Sequence, residues 1–592
     1  MAPSTSTVEA MFAEAQGHHR AGRLGEAEAL YRRILAIQPR HADSLQFLGA
    51  IAYQVGRHDL AARLFTAAIE IRDDIAAFHA NLAAALFALG RLDEAAARYA
   101  RALELAPGDV TTLRGYGNVL RTQGRLEGAV LAYERSLSLG PEDSATRYQL
   151  ANSLRALGRF EAAIEHYERV VEASPDDVLA RNSLGVTLQT LRRFDEAARQ
   201  YQRVAELKPD FAEAYSNLGS VHHAQGRLED AAAQYRKAIS LKPDFAEALC
   251  NLGAVVQAQG RLDEAVALFE NAIALRPDYA TARTSLGFAR LLQGDFARGW
   301  PDFEWRLRTA DFRNKGLAAP DWDGEHLGGR SILIESEQGL GDIIFMARFA
   351  PQAHDRGGRV LLTCPAPLHR LFETLEGVAA LLPQNGEPPA HDVRSPLMSL
   401  PYILGVTPKT IPSRPYLHPD RDLAAQWRDR LRGLDGLKVG VAWRGNPGNY
   451  NDRYRSVSAE TFASAIDVPG VSIVSLQKDS TPDETAALGR PVFDAGPFLS
   501  DFADTAAAIA ALDLVVCVDT SVCHLAGALG APTWTLVPFA PDWRWLLERE
   551  DSPWYPSMRL FRPAKLLEWA PVMDRVRATL VELAARAGGV GS

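Results

Sequence analysis

One spacing rules the first half of this chain. Gly-Arg-Leu, or a close variant, starts at Gly22, Gly56, Gly90, Gly124, Gly158, Gly226, Gly260 and Gly294, at intervals of 34 with one slot missed, where Arg192 stands in place of the glycine. Five residues on comes a small residue, from Ala27 and Ala61 to Ala265 and then Gly299; nine residues on comes an aromatic, from Tyr31 and Phe65 to Phe269 and Phe303. Prolines close the units at Pro39, Pro107, Pro141, Pro175, Pro209, Pro243 and Pro277. The physics of such a unit is a helical hairpin. The glycine ends the first helix in a conformation other residues resist. The small residue lets the second helix lie close to the first, the aromatic fills the space between pairs, and the proline stops the second helix. Hairpins of this kind bury their apolar faces only by stacking.

This grammar resembles the tetratricopeptide repeat (TPR) family. The resemblance predicts an α-solenoid, a TPR superhelix of about nine repeats over residues 8–310, whose first helices line an extended groove for a protein partner. One first-helix position reads Asn81, Gly115, Gln149, Ser183, Asn217, Asn251 and Ser285. Amides there can bond a peptide backbone whatever its sequence, so Asn81, Asn217 and Asn251 are candidates for an acceptor-protein groove, and a solvated polar face is the alternative. The O-GlcNAc transferases carry an asparagine ladder in a similar place, and the match here is partial.

At 592 residues the chain needs more than one core. Hydrophobic residues make up 47% and charged residues 23%, ordinary for a globular protein, and the formal charge of −9 disfavours general nucleic-acid or anionic-membrane binding. None of the four cysteines forms a CxxC pair, the first residues lack an apolar signal core, and the most apolar run, interrupted by Asp513, is too short to span a bilayer. These features predict a cytoplasmic protein without a zinc knuckle. A turn-rich linker is expected at 311–329. Asp321-Trp-Asp323 within it has the look of a DxD metal motif but reads as structural.

From Arg330 onward strand-like and helical stretches alternate, which is parallel α/β grammar. SILIESE (331–337) and GRVLLTC (358–364) read as strands, with single helices expected after each. LKVGVAW (437–443), VSIVSLQ (471–477), LDLVVCVD (512–519) and PTWTLV (532–537) begin the pattern again. Two Rossmann-like halves are expected, at 330–432 and 433–592, a GT-B-like α/β arrangement with its site in the cleft, and ligands bind beyond the carboxyl ends of such strands.

Each candidate motif falls at a strand end. Glu337-Gln-Gly-Leu-Gly-Asp342 carries Gly339 and Gly341, which allow close backbone approach to an anion; Asp342 is either a helix cap or a general base, and a helix start makes a carboxylate a poorer base. The loop 441–456 brings Arg444, Arg453 and Arg455, suited to phosphate or else an ordinary solvated basic loop. Gln477 and Lys478 end the next strand, either as donor contacts or as an ordinary loop. Asp519-Thr-Ser-Val-Cys-His524 leads into a small-residue helix: Thr520 and Ser521 can cradle a phosphate, and His524 can donate to it. PDWRWLLEREDSPWYPSMRLF (541–561) either shapes a sugar or base pocket or packs into the core.

These motifs resemble the lipopolysaccharide heptosyltransferase family, of GT-B fold, over roughly residues 325–575. Gly341-Asp342 matches its glycine loop, and Asp519, Thr520 and His524 match its Asp-Thr-x-x-x-His donor motif. The resemblance implies Asp342 as catalytic base and Asp519, Thr520, Ser521 and His524 as donor-binding, with Arg455 near a basic position by looser alignment. The whole chain resembles the bacterial flagellin glycosyltransferases that join TPRs to a GT-B domain. That likeness implies flagellin as partner, an inverting reaction, a nucleotide-sugar donor that carries a nonulosonic acid such as pseudaminic acid on CMP, and no metal or other cofactor. A glycan- or lipid-directed transferase and a TPR scaffold with an inactive transferase domain remain open alternatives.

Overall fold

The structure is a computed structural model that describes residues 5–309, 319–448 and 452–589. The chain forms two compact units, Met1–Lys242 and Pro243–Ser592.

The first unit is a series of helix pairs, from Thr5–Arg20 with Leu24–Ile37 to Ala212–Ala224 with Leu228–Leu241. The turn glycines Gly22, Gly56, Gly90, Gly124, Gly158 and Gly226 have φ between 72 and 80°, and Arg192 takes φ 60° in the same slot. The missing glycine therefore leaves the turn intact but strained. The small residues are enclosed, as at Ala27, Ala61 and Ala129. The aromatics do more than separate pairs. Five of them, Phe65, Tyr133, Tyr201, Tyr235 and Phe269, also seat on a glycine of their own pair's first helix: a Cβ on Gly49 would stand 2.6 Å from the Phe65 ring, and one on Gly185 2.6 Å from Tyr201. Contact that close needs a residue without a side chain.

The second unit starts with the last helix pairs, Ala246–Ala258 with Leu262–Leu275 and Ala280–Leu292 with Phe296–Phe303, and a 3-10 turn over Glu304–Arg308. Two parallel sheets follow. The first contains β1 (Ser331–Glu335), β2 (Arg359–Cys364), β3 (Val378–Pro383) and β4 (Val393–Pro396) in the order β3-β2-β1-β4. The second contains β5 (Leu437–Ala442), β6 (Val471–Ser475), β7 (Val492–Asp494), β8 (Leu514–Val518), β9 (Thr533–Leu536) and β10 (Met558–Phe561) in the order β10-β9-β8-β5-β6-β7. The chain is thus a helical repeat solenoid followed by an α/β region with two sheets.

Four strands escaped the sequence reading: β3, β4, β7 and β10. The single helix expected after β1 is broken into Leu340–Met346, a 3-10 turn at Ala347–Phe349, and Ala350–Asp355, the last opening on Pro351. A proline cannot donate into a preceding helical turn. The stretch after β2 is a 3-10 turn and a helix of one turn, Ala366–Leu368 and His369–Phe372.

One core cluster joins the last repeat helices (Leu291, Phe296, Trp300, Phe303) to the first sheet and to one face of the second (Ala442, Val474, Val515, Cys517). The Trp300 indole donates to the Val406 carbonyl at 3.0 Å, and a Cβ on Gly260 would meet the Phe539 ring at 2.8 Å. The other face of the second sheet is covered by the C-terminal helix Ala570–Gly589 through Val572, Met573, Val576 and Leu580. The segment 411–420 ties the halves together: Tyr416 N–H donates to Ala528 at 3.0 Å, and its hydroxyl donates to Ile344 at 2.8 Å. Asp321-Trp-Asp323 is structural, with Asp321 paired to Arg394 at 2.9 Å and Trp322 buried; residues 311–318 of the expected linker lie outside the described residues.

Candidate functional site

In each sheet the strand order reverses beside the first strand of that half, and such switch points leave a crevice beyond the carboxyl ends of the strands. In the first sheet that place lies between β1 and β4, and it holds the Glu337–Asp342 turn. In the second it lies between β5 and β8, and it holds Trp443–Gly445 and Asp519–Ser521.

The two turns meet. A Cβ on Gly341 would lie 3.1 Å from His524 Cδ2 and 3.4 Å from Ser521 Cα. Gly341 therefore allows the turn after β1 to rest on the start of the helix Ser521–Leu529. Gln338 is held at φ 67°, a conformation that costs a non-glycine residue about 1–3 kcal/mol and clusters at functional sites. Glu337, 5% exposed, pairs with the buried Arg306 at 2.9 Å and accepts the Met398 N–H at 2.9 Å. The end of the repeat region thereby fixes the residue just before the strained one.

Asp342 sits in the first turn of the helix Leu340–Met346. One carboxylate oxygen accepts the Gly339 N–H at 3.1 Å, and the other pairs with Arg544. Asp342 thus supports the helix start, as its capping alternative requires, and also reaches across to the other half. Arg544 in turn pairs with Asp542 at 2.9 Å. Burial pushes the Asp542 carboxyl up to about 6 against the pull of Arg544. Burial alone would lower the Arg544 guanidinium, but Asp542, Asp342 and Asp519 together hold it well above its ordinary value.

The Asp519–His524 segment is mostly enclosed. Asp519 is 7% exposed and His524 4%, while Thr520 and Ser521 are half-buried. The His524 ring stacks on Trp545 with centroids 5.4 Å apart, its Nδ1 lies 3.3 Å from the Tyr555 hydroxyl, and its Nε2 lies 3.7 Å from Asp519. Burial, reinforced by Arg544, Arg348 and Arg455, lowers its pKa well below the ordinary value. The ring expected to donate to a phosphate is thus enclosed among Trp545, Tyr555 and Asp519. Burial raises the Asp519 carboxyl, opposed by Arg455 and Arg544. The Thr520 hydroxyl is buried without a hydrogen-bond partner among the described residues. Asp519, Cys523 and His524 place an oxygen, a sulfur and a nitrogen within 4.8 Å of one another.

The arginine loop differs from expectation in part. Arg444 is committed to Glu484 at 2.7 Å, and its N–H donates to the Gln477 side chain at 3.2 Å. Lys478 donates to the Ser500 carbonyl at 3.0 Å. Arg444 and Gln477 thus join the loops after β5 and β6, while Lys478 reaches the Ser500 loop. Arg455, 3.3 Å from Asp452, faces the Asp519 side and stands close to the Gly445 backbone. Residues 449–451 of this loop lie outside the described residues. A cavity of about 320 Å³ opens here, lined by Trp443, Arg444, Asp452, Ser456, Ser458, Glu460 and Glu484 among others.

The aromatics Trp543, Trp545, Trp554 and Tyr555 of the stretch 541–561 pack in the core, each at most 1% exposed. The sequence reading missed Asp542 and Arg544 within it. They follow the carboxyl end of β9, so the strand-end rule that found the other motifs applied to them too. In the repeats, Asn81, Asn217 and Asn251 are half-buried. Asn217 bonds Asn182 at 3.0 Å, Ser183 bonds Tyr148 at 3.1 Å, and Gly115 abuts Tyr99, so this row is interrupted.

Tetratricopeptide-repeat family models match residues 12–80, 73–142 and 120–185, and a TPR-repeat model matches 193–226, 219–260 and 257–294. The first half of this chain is a TPR array. Protein FlbA of Caulobacter vibrioides is 30% identical over 334 residues, which cover 50% of this chain and 55% of FlbA, so the chain spans about half the length of that relative. The crystal structure of YrrB, titled a TPR protein with an unusual peptide-binding site, is 32% identical, covers 32% of this chain and 97% of YrrB, and gives a TM-score of 0.30. The crystal structure of MamA protein is 29% identical, covers 29% of this chain and 93% of MamA, and gives a TM-score of 0.27. The TPR region suits protein binding, and among the described residues no helix is long and apolar enough to cross a membrane.

Proposed function

We propose that this protein is a metal-independent protein glycosyltransferase: the TPR region captures flagellin, and the α/β region transfers a sugar from a nucleotide-activated donor to serine or threonine hydroxyls. The donor is a nonulosonic acid, such as pseudaminic acid on CMP, by resemblance to the flagellin glycosyltransferases. The observation that supports this reading most is the junction of the Gly339–Asp342 turn with the start of the helix Ser521–Leu529, where a Cβ on Gly341 would stand only 3.4 Å from Ser521 Cα. The Thr520 hydroxyl there lacks a partner among the described residues, and helix-start N–H groups favour an anion. In this scheme Thr520, Ser521 and Arg455 receive the donor phosphate. Asp342, released from Arg544, takes the proton from the acceptor hydroxyl, whose oxygen bonds to the anomeric carbon as the nucleotide phosphate departs. Asp519 and His524 carry this site from behind.

Intact-mass spectrometry of flagellin co-expressed with this protein and a sugar-nucleotide pathway tests the proposal. Sugar-sized mass increments that vanish with Asp342→Asn support it; unmodified flagellin sinks it. A second reading, a TPR scaffold with an inactive transferase domain, draws on the Asp342–Arg544 pairing and the enclosure of His524. It predicts no donor turnover by wild type, Asp342→Asn or His524→Ala.

A further inference from the structure

The chain carries a formal charge of −9. Yet three consecutive first helices, Val110–Thr122, Ser144–Ala156 and Val178–Thr190, hold five arginines and no aspartate or glutamate. Aspartates Asp109, Asp143 and Asp177 cap these helices, and Phe160–Ala173 of the second helices has four glutamates. Arg114 pairs with Asp143, and Arg147 and Arg181 bond the Pro141 and Pro175 carbonyls, which leaves Arg121 and Arg155 on two first helices that touch one another.

Within this basic face one arrangement occurs twice. The buried Tyr133 hydroxyl donates to Asn118 Oδ1 at 2.8 Å, and the buried Tyr167 hydroxyl donates to Asn152 Oδ1 at 2.7 Å. Arg121 and Arg155 contact those same hydroxyls. Each tyrosine fixes its asparagine with the carbonyl engaged, which leaves the Nδ2 hydrogens to donate. Arg121 and Arg155 are exposed, and neither forms an ion pair among the described residues. The equivalent slots hold Ala84 and Phe87 in the repeat before and Val186 and Gln189 in the repeat after. Two amide donors one repeat apart, each flanked by a guanidinium, match main-chain carbonyls interleaved with carboxylates.

We infer that helices Val110–Thr122 and Ser144–Ala156 hold an extended acidic segment of the protein partner, with Asn118 and Asn152 on its main chain and Arg121 and Arg155 on its aspartates or glutamates. This inference rests on the reading that the repeats capture a protein. A polypeptide fits better than a nucleic acid, because the amide pair has a use on peptide carbonyls.

The test is fluorescence anisotropy with the full chain. Three fluorescein-labelled probes are compared: a 14-residue peptide of alternating Asp, Glu and Ser, its Asn/Gln counterpart, and a 14-nucleotide oligodeoxythymidylate. The acidic peptide binds, and R121A/R155A and N118A/N152A each weaken it about tenfold or more, as expected for lost charge-assisted and amide bonds. R121K/R155K, which keeps the charge, retains most binding, and melting curves that overlay wild type exclude unfolding. Equal binding of the Asn/Gln peptide, equal binding of the oligonucleotide, or an unchanged Kd for N118A/N152A each overturns the inference. Sugar transfer undiminished in R121E/R155E overturns it while the transferase reading stands; acidic-peptide capture without any sugar transfer does the reverse.

Discussion

Substituting Arg306 by methionine probes the connection between the repeats and the strained turn. Arg306 and Glu337 side chains are each 4% exposed and 2.9 Å apart, and Arg306 also bonds Ser399 at 2.7 Å. Methionine fills most of the volume but leaves the Glu337 carboxylate buried with only the Met398 N–H. Stranding one partner of a buried ion pair costs about 3–5 kcal/mol, whereas replacing both partners costs far less. With about 2 cal/mol/K of unfolding entropy per residue over a unit of about 350 residues, R306M should lower its melting point by about 4–7 °C. All ten tryptophans, from Trp300 to Trp569, lie in that unit, so guanidinium unfolding followed by indole fluorescence reads it selectively. R306M/E337Q should recover about half of the loss or more. A penalty below about 1 kcal/mol for R306M, or a double mutant that loses the sum of both singles, refutes the coupling.

Gly287→Ala should destabilise the second unit by about 1–3 kcal/mol or more, because its Cβ would meet the Phe303 backbone nitrogen and stand 2.8 Å from Phe303 Cα. Gly128→Ala meets only the flexible tip of Leu120 at 3.3 Å and should be neutral or stabilising by up to about 1 kcal/mol; denaturant midpoints check both. Arg192→Gly relieves a left-handed arginine and should stabilise the first unit by about 0.5–1 kcal/mol by circular dichroism melting. Asp542 is pushed up to about 6, above the ordinary aspartate value of about 3.9. Its favourable contribution is therefore present below about pH 4 and lost as pH rises through 6. Unfolding free energies should show wild type losing stability relative to Asp542→Asn between pH 4 and 6.5, by at most about 3 kcal/mol and less for a side chain that is a quarter exposed; parallel profiles would refute it.

The repeat array was legible because its constraints are local. A glycine turn, a small residue and an aromatic recur at fixed offsets, and even Arg192 could be read as an occupied slot. The strands that carry motifs were legible for the same reason: β1, β5, β6 and β8 are apolar runs punctuated by turn residues. β4 (VRSP) and β7 (VFD) are short and mixed, and they become strands only through pairing with β1 and β6. The partners of the site residues leave no local trace. Asp342 and Arg544 are 202 residues apart in sequence, and Arg306 and Glu337 are brought together by packing of the last repeat. Tryptophans read equally well as pocket or core until neighbours surround them, which is why 541–561 stayed ambiguous and Arg544 went unnoticed.

The seating of Trp300, Phe296 and Gly260 against the α/β residues has a practical reading. A fragment cut where the repeats stop, near residue 320, would shed part of its own interior and present tryptophan-lined hollows to solvent, inviting aggregation. One that starts at Pro243 keeps that wall. Swapping or shortening repeats is accordingly safest upstream of Lys242, where units add and subtract like links, while the final pairs behave as part of the foundation.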